Sequence, residues 1–336
     1  MPEGCGSKMA FAGGGDRLSA LPDVVLEHIL SFLPSVDAVR TCLLAHRWRG
    51  LWLSTPSLRV DGESVKECHR FLDHMLLLRG HAPVDTCDLS FNDFSKRDVP
   101  YLNLMCRVRV LRFYADWRRG ERLPMGDLPL ITNTLTRLRL HGVDLRERTT
   151  DFSGCPVLEE LKLMECSLMT AEIASNSLKH LSLTDSYFSC LDYRARNDTD
   201  NSVLLDGLSS ATSIELIITD PKVFIFRRDL RWCPTFSKLK TLVLNDWCVG
   251  TEVHALVCIL QHTPVLQKLT LHLCKGAKQK MQPKESHSLV EQLLPLKHLK
   301  KVEVICPSVD ERLCTILEIL RTFGITRGLV DIQQTD

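Results

Sequence analysis

A short apolar pattern, Leu-x-x-Leu-x-Leu, recurs along most of this 336-residue chain and limits what the chain can fold into. Counted between their middle residues, the nine copies are spaced 24, 27, 23, 20, 33, 28, 27 and 33 residues apart. These middle residues are Cys87, Leu111, Leu138, Leu161, Leu181, Ile214, Leu242, Leu269 and Val302. Alternating apolar residues indicate a strand with one buried face, which a single unit cannot cover by itself. The pattern therefore predicts a stack of similar units, each adding one strand to a common sheet.

Residues 16–60 lack this repeat and instead predict a separate unit of short amphipathic helices. Pro22 opens the first helix and Pro34 ends it, which leaves Ser35 as the expected N-cap of the second. Three apolar stripes at helical spacing predict three helices. Their members are Leu26, Ile29, Leu30 and Leu33, then Val36, Val39 and Leu43, then Trp48, Leu51 and Trp52. So small a unit cannot bury all of this surface, so we expect part of it to contact a partner.

The order and spacing of residues in this unit resemble the F-box of plant F-box proteins. The matching residues are Leu21-Pro22, Ile29–Pro34, Ala38–Thr41, Arg47-Trp48 and Trp52. The resemblance implies docking on a Skp-type adaptor, which joins an F-box to the cullin and RING subunits of a ubiquitin ligase. It also implies that adaptor contact or its direct support comes from Leu21, Pro22, Ile29, Leu33, Val39, Trp48 and Trp52. The alternative is an ordinary helical cap on the following domain.

A small polar residue often stands three positions after the last leucine of each repeat, where it could satisfy backbone atoms of the turn. Asn92, Asp116, Cys166, Ser186 and Cys274 hold this position. Together with the stretch Cys155–Leu161, the series is similar to the leucine-rich repeats that follow F-boxes in plants. The resemblance implies an α/β fold with a leucine-rich-repeat solenoid (horseshoe) over residues 83–306. We call this series of small polar residues the polar ladder. The resemblance also implies that Cys166 and Cys274 are structural members of the polar ladder rather than nucleophiles.

Two further helices are expected beside the repeats. Ser64–Arg79 has helical apolar spacing and ends at Gly80, which predicts a linker helix within 61–82 that holds the F-box unit rigidly. Asp310–Phe323 predicts an amphipathic helix that caps the solenoid, within 307–336. With Leu299–Val304 it resembles the C-terminal FBD region of some plant F-box proteins. The period is broken at 187–210 and 275–295, and such long loops are either functional or disordered.

Composition narrows the partners and the compartment. Because 42 Lys and Arg balance 41 Asp and Glu, bulk charge predicts neither a nucleic-acid nor a membrane partner. Basic runs at 117–119, 227–228 and 231–232 could contact phosphate or an acidic peptide, or could be solvated loop charges. Residues 1–15 carry no signal-peptide core and no stretch could span a membrane. We expect a disordered tail at 1–15, 14 reduced cysteines, and location in cytoplasm or nucleus.

Motifs for catalysis are absent, so we expect no catalytic residue, no cofactor and no metal site. The chain has no C-x-x-C pair, P-loop, G-x-S-x-G or H-E-x-x-H sequence. His262 and His272 could meet a metal with Cys258 or Cys274, but isolated histidines are the commoner case. A substrate receptor of a ligase needs no nucleophile, because it acts by holding a substrate lysine near a charged ubiquitin-conjugating enzyme.

These features predict a non-catalytic substrate-recognition subunit of a Skp-cullin-F-box ubiquitin ligase. The protein substrate, which no motif identifies, is expected on the concave face of the repeats. Candidate contacts there are Glu160, Lys162, Lys179 or His180, Lys240 and Lys268. The alternative is a non-ligase repeat scaffold with a degenerate F-box, and an enzyme is the last choice.

Overall fold

The computed structural model describes residues 18, 20–80, 82–93, 108–115, 123–125, 131–145, 150–168, 173–188, 205–218, 233–246, 254–273 and 295–334. Over these residues the protein has an α/β fold with one large, open sheet whose strand pairs are parallel. The tail at 1–15, Asp116, Cys274, the basic runs, most of 187–210 and nearly all of 275–295 lie outside the described residues.

The N-terminal unit contains two α-helices, α1 (Asp23–Leu30) and α2 (Ser35–Arg40). The predicted second helix ends at Arg40, and its last predicted apolar residue, Leu43, lies in a 3-10 turn, Thr41–Leu43. Two further 3-10 turns, His46–Arg49 and Leu51–Ser54, take the place of the predicted third helix. The stretch predicted as the third helix is divided at Gly50, where φ is −108° and where glycine has low helix propensity. Pro34, not Ser35, is the N-cap of α2. The Ser35 hydroxyl accepts the Arg59 backbone N–H instead, at 2.9 Å.

Fourteen strands are found among the described residues. They are β1 (Ser57–Ser64), β2 (Thr86–Asp93), β3 (Val110–Ala115), β4 (Leu123–Met125), β5 (Arg137–His141), β6 (Val143–Leu145), β7 (Glu160–Met164), β8 (Ser167–Leu168), β9 (His180–Phe188), β10 (Ser213–Ile218), β11 (Thr241–Asn245), β12 (Lys268–His272), β13 (Lys301–Cys306) and β14 (Val330–Gln334). Eleven of them form the main sheet in chain order, and β4, β6 and β8 form a short side row.

Each of the nine repeats supplies one strand of the main sheet, and β1 and β14 add one at each end. Both added strands place two apolar residues in the rows of leucines. In β1 these are Leu58 and Val60, which are buried. In the edge strand β14 they are Val330, which is half-buried, and Ile332, which is exposed. Thr55 and Arg327 stand where the repeat has its first leucine, so the sequence pattern does not reveal these strands.

The strands pair in a common register, so equivalent residues form rows across the sheet. Leu138 lies beside Leu161, and Leu140 beside Leu163, and these rows of leucines are buried. Side chains alternate along a strand, so the residues between the leucines point to the opposite side. We call that side the open face.

Small polar residues at the strand ends bind backbone atoms of neighbouring units. Buried Ser186 accepts the Cys166 N–H at 3.2 Å and donates to the Leu163 carbonyl at 3.3 Å, while Cys166 Sγ lies 3.5 Å from the Leu140 carbonyl. Asn245, which the repeat pattern does not single out, pairs its amide with both the N–H and the carbonyl of Ile218. These contacts satisfy buried backbone groups that would otherwise be costly.

The three remaining α-helices of the described residues connect strands. Helix α3 (Val65–Arg79) joins β1 to β2 and ends at Gly80, whose φ of 56° suits glycine. Helix α4 (His254–Gln261) joins β11 to β12. Helix α5 (Glu311–Thr322) joins β13 to β14, which pair with each other in the sheet. Strand β14 is the edge strand. No helix among these residues has the length and apolarity to cross a membrane.

Candidate functional site: an exposed apolar surface and the open face

Exposed apolar side chains concentrate in the N-terminal unit. Eight of the sixteen large hydrophobic residues exposed in the described part of the chain lie between positions 18 and 44. They are Leu18, Val24, Val25, Ile29, Phe32, Val36, Leu43 and Leu44, which we call the N-terminal apolar surface. Exposed apolar side chains that concentrate in one part of a folded protein are typical of interaction sites, so these residues form the candidate partner-binding surface.

The seven sequence-predicted adaptor residues fall into three groups by exposure. Pro22 and Ile29 are exposed, with Ile29 at 38 %. Leu21, Leu33 and Val39 are half-buried against the core. Trp48 and Trp52 are buried, at 7 % and 8 % exposed, and the Trp52 indole N–H donates to the Arg49 carbonyl at 3.1 Å.

The most exposed residues of this surface are not among the seven residues predicted to contact the adaptor. Val24 is 75 % exposed and Leu43 is 89 % exposed, and Phe32 is more exposed than Ile29. The signal in the sequence is the run Val24-Val25-Leu26, because a helix that buries Leu26 must turn its two neighbours away from the core.

Arg47 fixes the start of α1 to the 3-10 turns. Its Nε and Nη2 donate to the Asp23 carboxylate at 2.9 and 2.6 Å, and Nη2 also donates to the Leu21 carbonyl. The Leu21-Pro22 segment is therefore held in place beside the N-terminal apolar surface.

A buried arginine joins the N-terminal unit to the sheet. Arg79, the last residue of α3, donates to the Trp52 carbonyl at 2.9 Å and to the Thr55 hydroxyl and carbonyl at 3.0 and 2.6 Å. Burial lowers the pKa of the Arg79 guanidinium, because desolvation disfavours the charged form. The planar guanidinium of Arg79 thus connects the end of the 3-10 turns to α3 through several hydrogen bonds.

Basic side chains collect on the open face of β3, β5 and β7. Arg137, Arg139 and Lys162 surround Glu160, and the shortest contact, Arg139 Nη2 to Glu160 Oε1, is 2.9 Å. Burial raises the pKa of Glu160, but hydrogen bonding to Arg139 and the nearby cations bring it below its ordinary value. With Arg112, which pairs with Asp88 at 2.8 Å, this group has four basic side chains against two acidic ones. We call Arg112, Arg137, Arg139 and Lys162 the basic centre.

An aromatic stack lies next to the basic centre. The rings of Tyr114 and His141 are 4.2 Å apart and inclined by 21°, and Met164 follows His141 in the same row. Tyr114 and Met164 are exposed. A cavity of about 300 Å³ adjoins these strands and is lined in part by Arg139, Lys162 and Glu215. The open face thus offers cations, a flat aromatic surface and a depression side by side.

The other predicted substrate contacts are spread over the sheet. Glu160 and Lys162 lie in the basic centre. Lys179 pairs with Glu159 just before β9, and Lys240 is exposed just before β11. Lys268 contacts Glu303 at 2.7 Å on the open face of β12, four strands from β7. The structure therefore brings Glu160 and Lys162 together with His180, the alternative to Lys179, because all three line the same cavity. The remaining predicted contacts are dispersed.

Two cysteines and a histidine form a separate cluster. Cys233, Cys258 and His262 each offer a ligand atom within 4.8 Å of the others. The pKa of Cys258 falls to about 7, because hydrogen bonding to Cys233 stabilises its thiolate, against burial, with a further contribution from His262. His272, which the sequence suggested as a second histidine ligand beside His262, lies next to Ile305 in the sheet and is not part of this cluster.

Comparison with known proteins agrees with the N-terminal geometry. The family described as F-box domain matches residues 18–59, which include the whole N-terminal apolar surface. The protein therefore has an N-terminal F-box domain followed by a mostly parallel open sheet.

Its relatives include plant F-box/LRR-repeat and F-box/FBD/LRR-repeat proteins at 24–30 % identity. An Arabidopsis thaliana F-box/FBD/LRR-repeat protein is 26 % identical over 96 % of this chain and 94 % of its own length. An F-box/LRR-repeat protein of the same plant is 24 % identical over 78 % of this chain and 73 % of its own length. The MEIOTIC F-BOX protein MOF of Oryza sativa subsp. japonica is 27 % identical over 77 % and 72 %.

Proposed function

We propose that this protein is the substrate-recognition subunit of a Skp-cullin-F-box ubiquitin ligase. The observation that carries the proposal is the N-terminal apolar surface, which lies inside the stretch matched by the F-box family. An adaptor would cover this surface and connect it to the cullin and RING subunits. The protein itself then needs no catalytic residue, because proximity of a bound substrate to the conjugating enzyme supplies the rate effect.

In this proposal the predicted adaptor residues have different roles. Pro22 and Ile29 contact the adaptor, together with Val24, Phe32 and Leu43 from the N-terminal apolar surface. The half-buried Leu21, Leu33 and Val39 contact it at their exposed edges. Trp48 and Trp52 support these residues from within, because buried rings cannot reach a partner without unfolding.

The finer architecture belongs to the same proposal. Residues 16–60 form the F-box, 61–82 the linker, 83–306 a leucine-rich-repeat solenoid and 307–336 its C-terminal closure. The in-register rows of leucines and the polar ladder at Cys166 and Ser186 support a solenoid. Strands β1 and β14 continue its sheet on both sides of 83–306.

The substrate would bind the open face at the basic centre. Four basic side chains against two acidic ones favour an acidic segment of a protein, and the Tyr114–His141 stack favours an aromatic or apolar side chain within it. The hydrogen bonds from Arg79 to the Trp52 and Thr55 carbonyls would keep the open face at a constant position relative to the adaptor. A location in the cytoplasm or the nucleus follows from this role.

Adaptor binding is tested with a matched pair of variants. Val24 and Ile131 are both 75 % exposed, but only Val24 lies in the N-terminal apolar surface. Val24→Asp should weaken binding to a purified Skp-type adaptor by about 30-fold or more, as expected for an interface anchor worth 2 kcal/mol, while Ile131→Asp should bind as the parent does. Adaptor binding that is equal in both variants would contradict the docking surface.

A second comparison tests the substrate face. Arg139→Glu with Lys162→Glu should abolish binding of a labelled Glu-rich peptide containing a tyrosine, whereas Lys238→Glu, an exposed lysine elsewhere, should not. Adaptor binding serves as the folding control. If the adaptor binds but ubiquitin is not transferred to captured proteins in the reconstituted ligase, the non-ligase scaffold with an F-box used only for assembly would be favoured.

A further inference from the structure

The cluster of Cys233, Cys258 and His262 lies on the leucine side of the sheet, away from the open face. Cys258 is in α4 and His262 directly follows that helix, one turn later, so the two side chains share one face of the chain. Neighbours of Cys258 in the helix, Leu256 and Ile259, pack in the core beneath the leucine rows. Cys233 comes from the segment that leads into β11.

Backbone contacts hold these two segments together. The Phe236 N–H donates to the His262 carbonyl at 2.8 Å, so the chain after Cys233 runs along the end of α4. His262 Nδ1 lies 2.7 Å from the Cys258 carbonyl oxygen and 4.0 Å from Cys258 Sγ. Cys258 is buried, whereas Cys233 and His262 are half-buried. The cluster is thus built on fixed backbone and reachable from solvent.

The spacing of the ligand atoms is close to that of a metal site. All three lie within 4.8 Å of one another. A tetrahedral zinc ion with bonds of about 2.3 Å to sulfur and about 2.0 Å to nitrogen separates its ligands by roughly 3.5–3.8 Å. The remaining adjustment is about 1 Å, which small side-chain rotations can supply.

We propose that Cys233, Cys258 and His262 bind one zinc ion. Two thiolates and an imidazole suit zinc and exclude magnesium and calcium, which prefer oxygen ligands. A water molecule or a group from a partner would complete the tetrahedron. Binding through Nδ1 would replace the hydrogen bond to the Cys258 carbonyl, and binding through Nε2 would retain it as an orienting contact. The ion would link α4 to the start of the neighbouring unit.

Direct metal titration of the full-length protein tests this site. The reduced, chelator-treated protein is titrated with zinc against a chromophoric chelator, and with cobalt as a spectroscopic probe. We expect one tight zinc per chain, the strong visible absorption of tetrahedral thiolate-bound cobalt, and a higher melting temperature with zinc. Cys233→Ser should weaken zinc binding by more than about 100-fold, above what the outer partners of metal ligands contribute.

Two further variants keep the test decisive. Cys314→Ser removes an exposed thiol in α5 and should bind zinc like the parent. Because Cys258→Ser could unfold the buried helix, His262→Gln offers the same loss of a ligand at a half-buried position. The proposal is overturned if Cys233→Ser and His262→Gln both retain the tight zinc, if cobalt gives only a weak octahedral spectrum, or if the isolated protein holds a Cys233–Cys258 disulfide that persists under reducing conditions.

Discussion

The N-terminal unit and the sheet use apolar residues in opposite ways. In the sheet, the leucines of each repeat are almost completely buried by the next unit, as with Leu138 and Leu161. In the N-terminal unit, α1 buries Leu26 and Leu30 but leaves Val24 exposed on the same helix. In the sheet, each unit's apolar face is covered by its own chain. In the N-terminal unit, apolar side chains stay exposed, as is typical of a surface that binds another molecule.

This contrast predicts the largest difference in stability. Leu161→Ala should lower the free energy of unfolding by about 3 kcal/mol, since it removes a fully buried side chain and leaves a cavity between packed units. Val24→Ala should change it by less than about 0.5 kcal/mol, because the side chain is already in water. Urea unfolding of both variants measures the difference. Similar losses in the two would mean that the N-terminal apolar surface packs against the chain itself.

The junction between the two regions should come next in effect. Arg79→Met should cost about 2–3 kcal/mol, because the buried Thr55 carbonyl loses its donor and the Trp52 carbonyl keeps only the Thr55 hydroxyl. Arg79→Lys should recover only part of the loss, since an ammonium group cannot reproduce the planar fork. Chemical unfolding measures both. If Arg79→Met were as stable as the parent, the guanidinium would not be what holds the N-terminal unit to the sheet.

The sequence reveals the repeated part of the sheet because the pattern is local. Each strand of the nine repeats is marked by its own alternation of leucines, and repetition strengthens the prediction. The pattern does not predict strands β1 and β14, because Thr55 and Arg327 stand where each repeat has its first apolar residue. The helix predicted at 310–323 is α5, but it does not end the sheet, because β14 follows it as the edge strand. The apolar pattern does not reveal β14, so it could not predict this arrangement.

The functional surfaces were less predictable, because they depend on which face tertiary packing covers. Helical spacing groups Trp48 and Trp52 but does not say that they are buried. The spacing of Cys258 and His262 is visible in the sequence, but the approach of Cys233 requires the neighbouring unit to stack. The basic centre likewise depends on register, which brings together residues of three separate repeats, on β3, β5 and β7.

Within the sheet, the polar ladder should matter less than the leucines. Asn245→Ala should cost about 2 kcal/mol, because the buried Ile218 N–H and carbonyl both lose their partner. Asn92→Ala, at an exposed ladder position, should cost little. Thermal unfolding of the two variants checks the comparison. A larger loss from Asn92 would mean that exposure does not determine the importance of the ladder residues.

The smallest effect should be a pH dependence at the C-terminal end of the open face. Hydrogen bonds from Lys268 and Lys301 lower the pKa of Glu303 to about 2, from its ordinary value of 4.5. Because the folded pKa is depressed, Glu303 stabilises the fold above about pH 4.5, and this contribution disappears as pH falls towards 2. Glu303→Gln should therefore melt slightly below the parent at pH 7 and approach it in acid. The lysines are about half exposed, at 43 % and 51 %, so the difference should be small and should shrink further in salt. When Lys268→Met is already present, Glu303→Gln should lower the melting temperature at pH 7 by less than it does in the parent. If the pH dependence of that difference were undiminished, the Lys268–Glu303 ion pair would not be its cause.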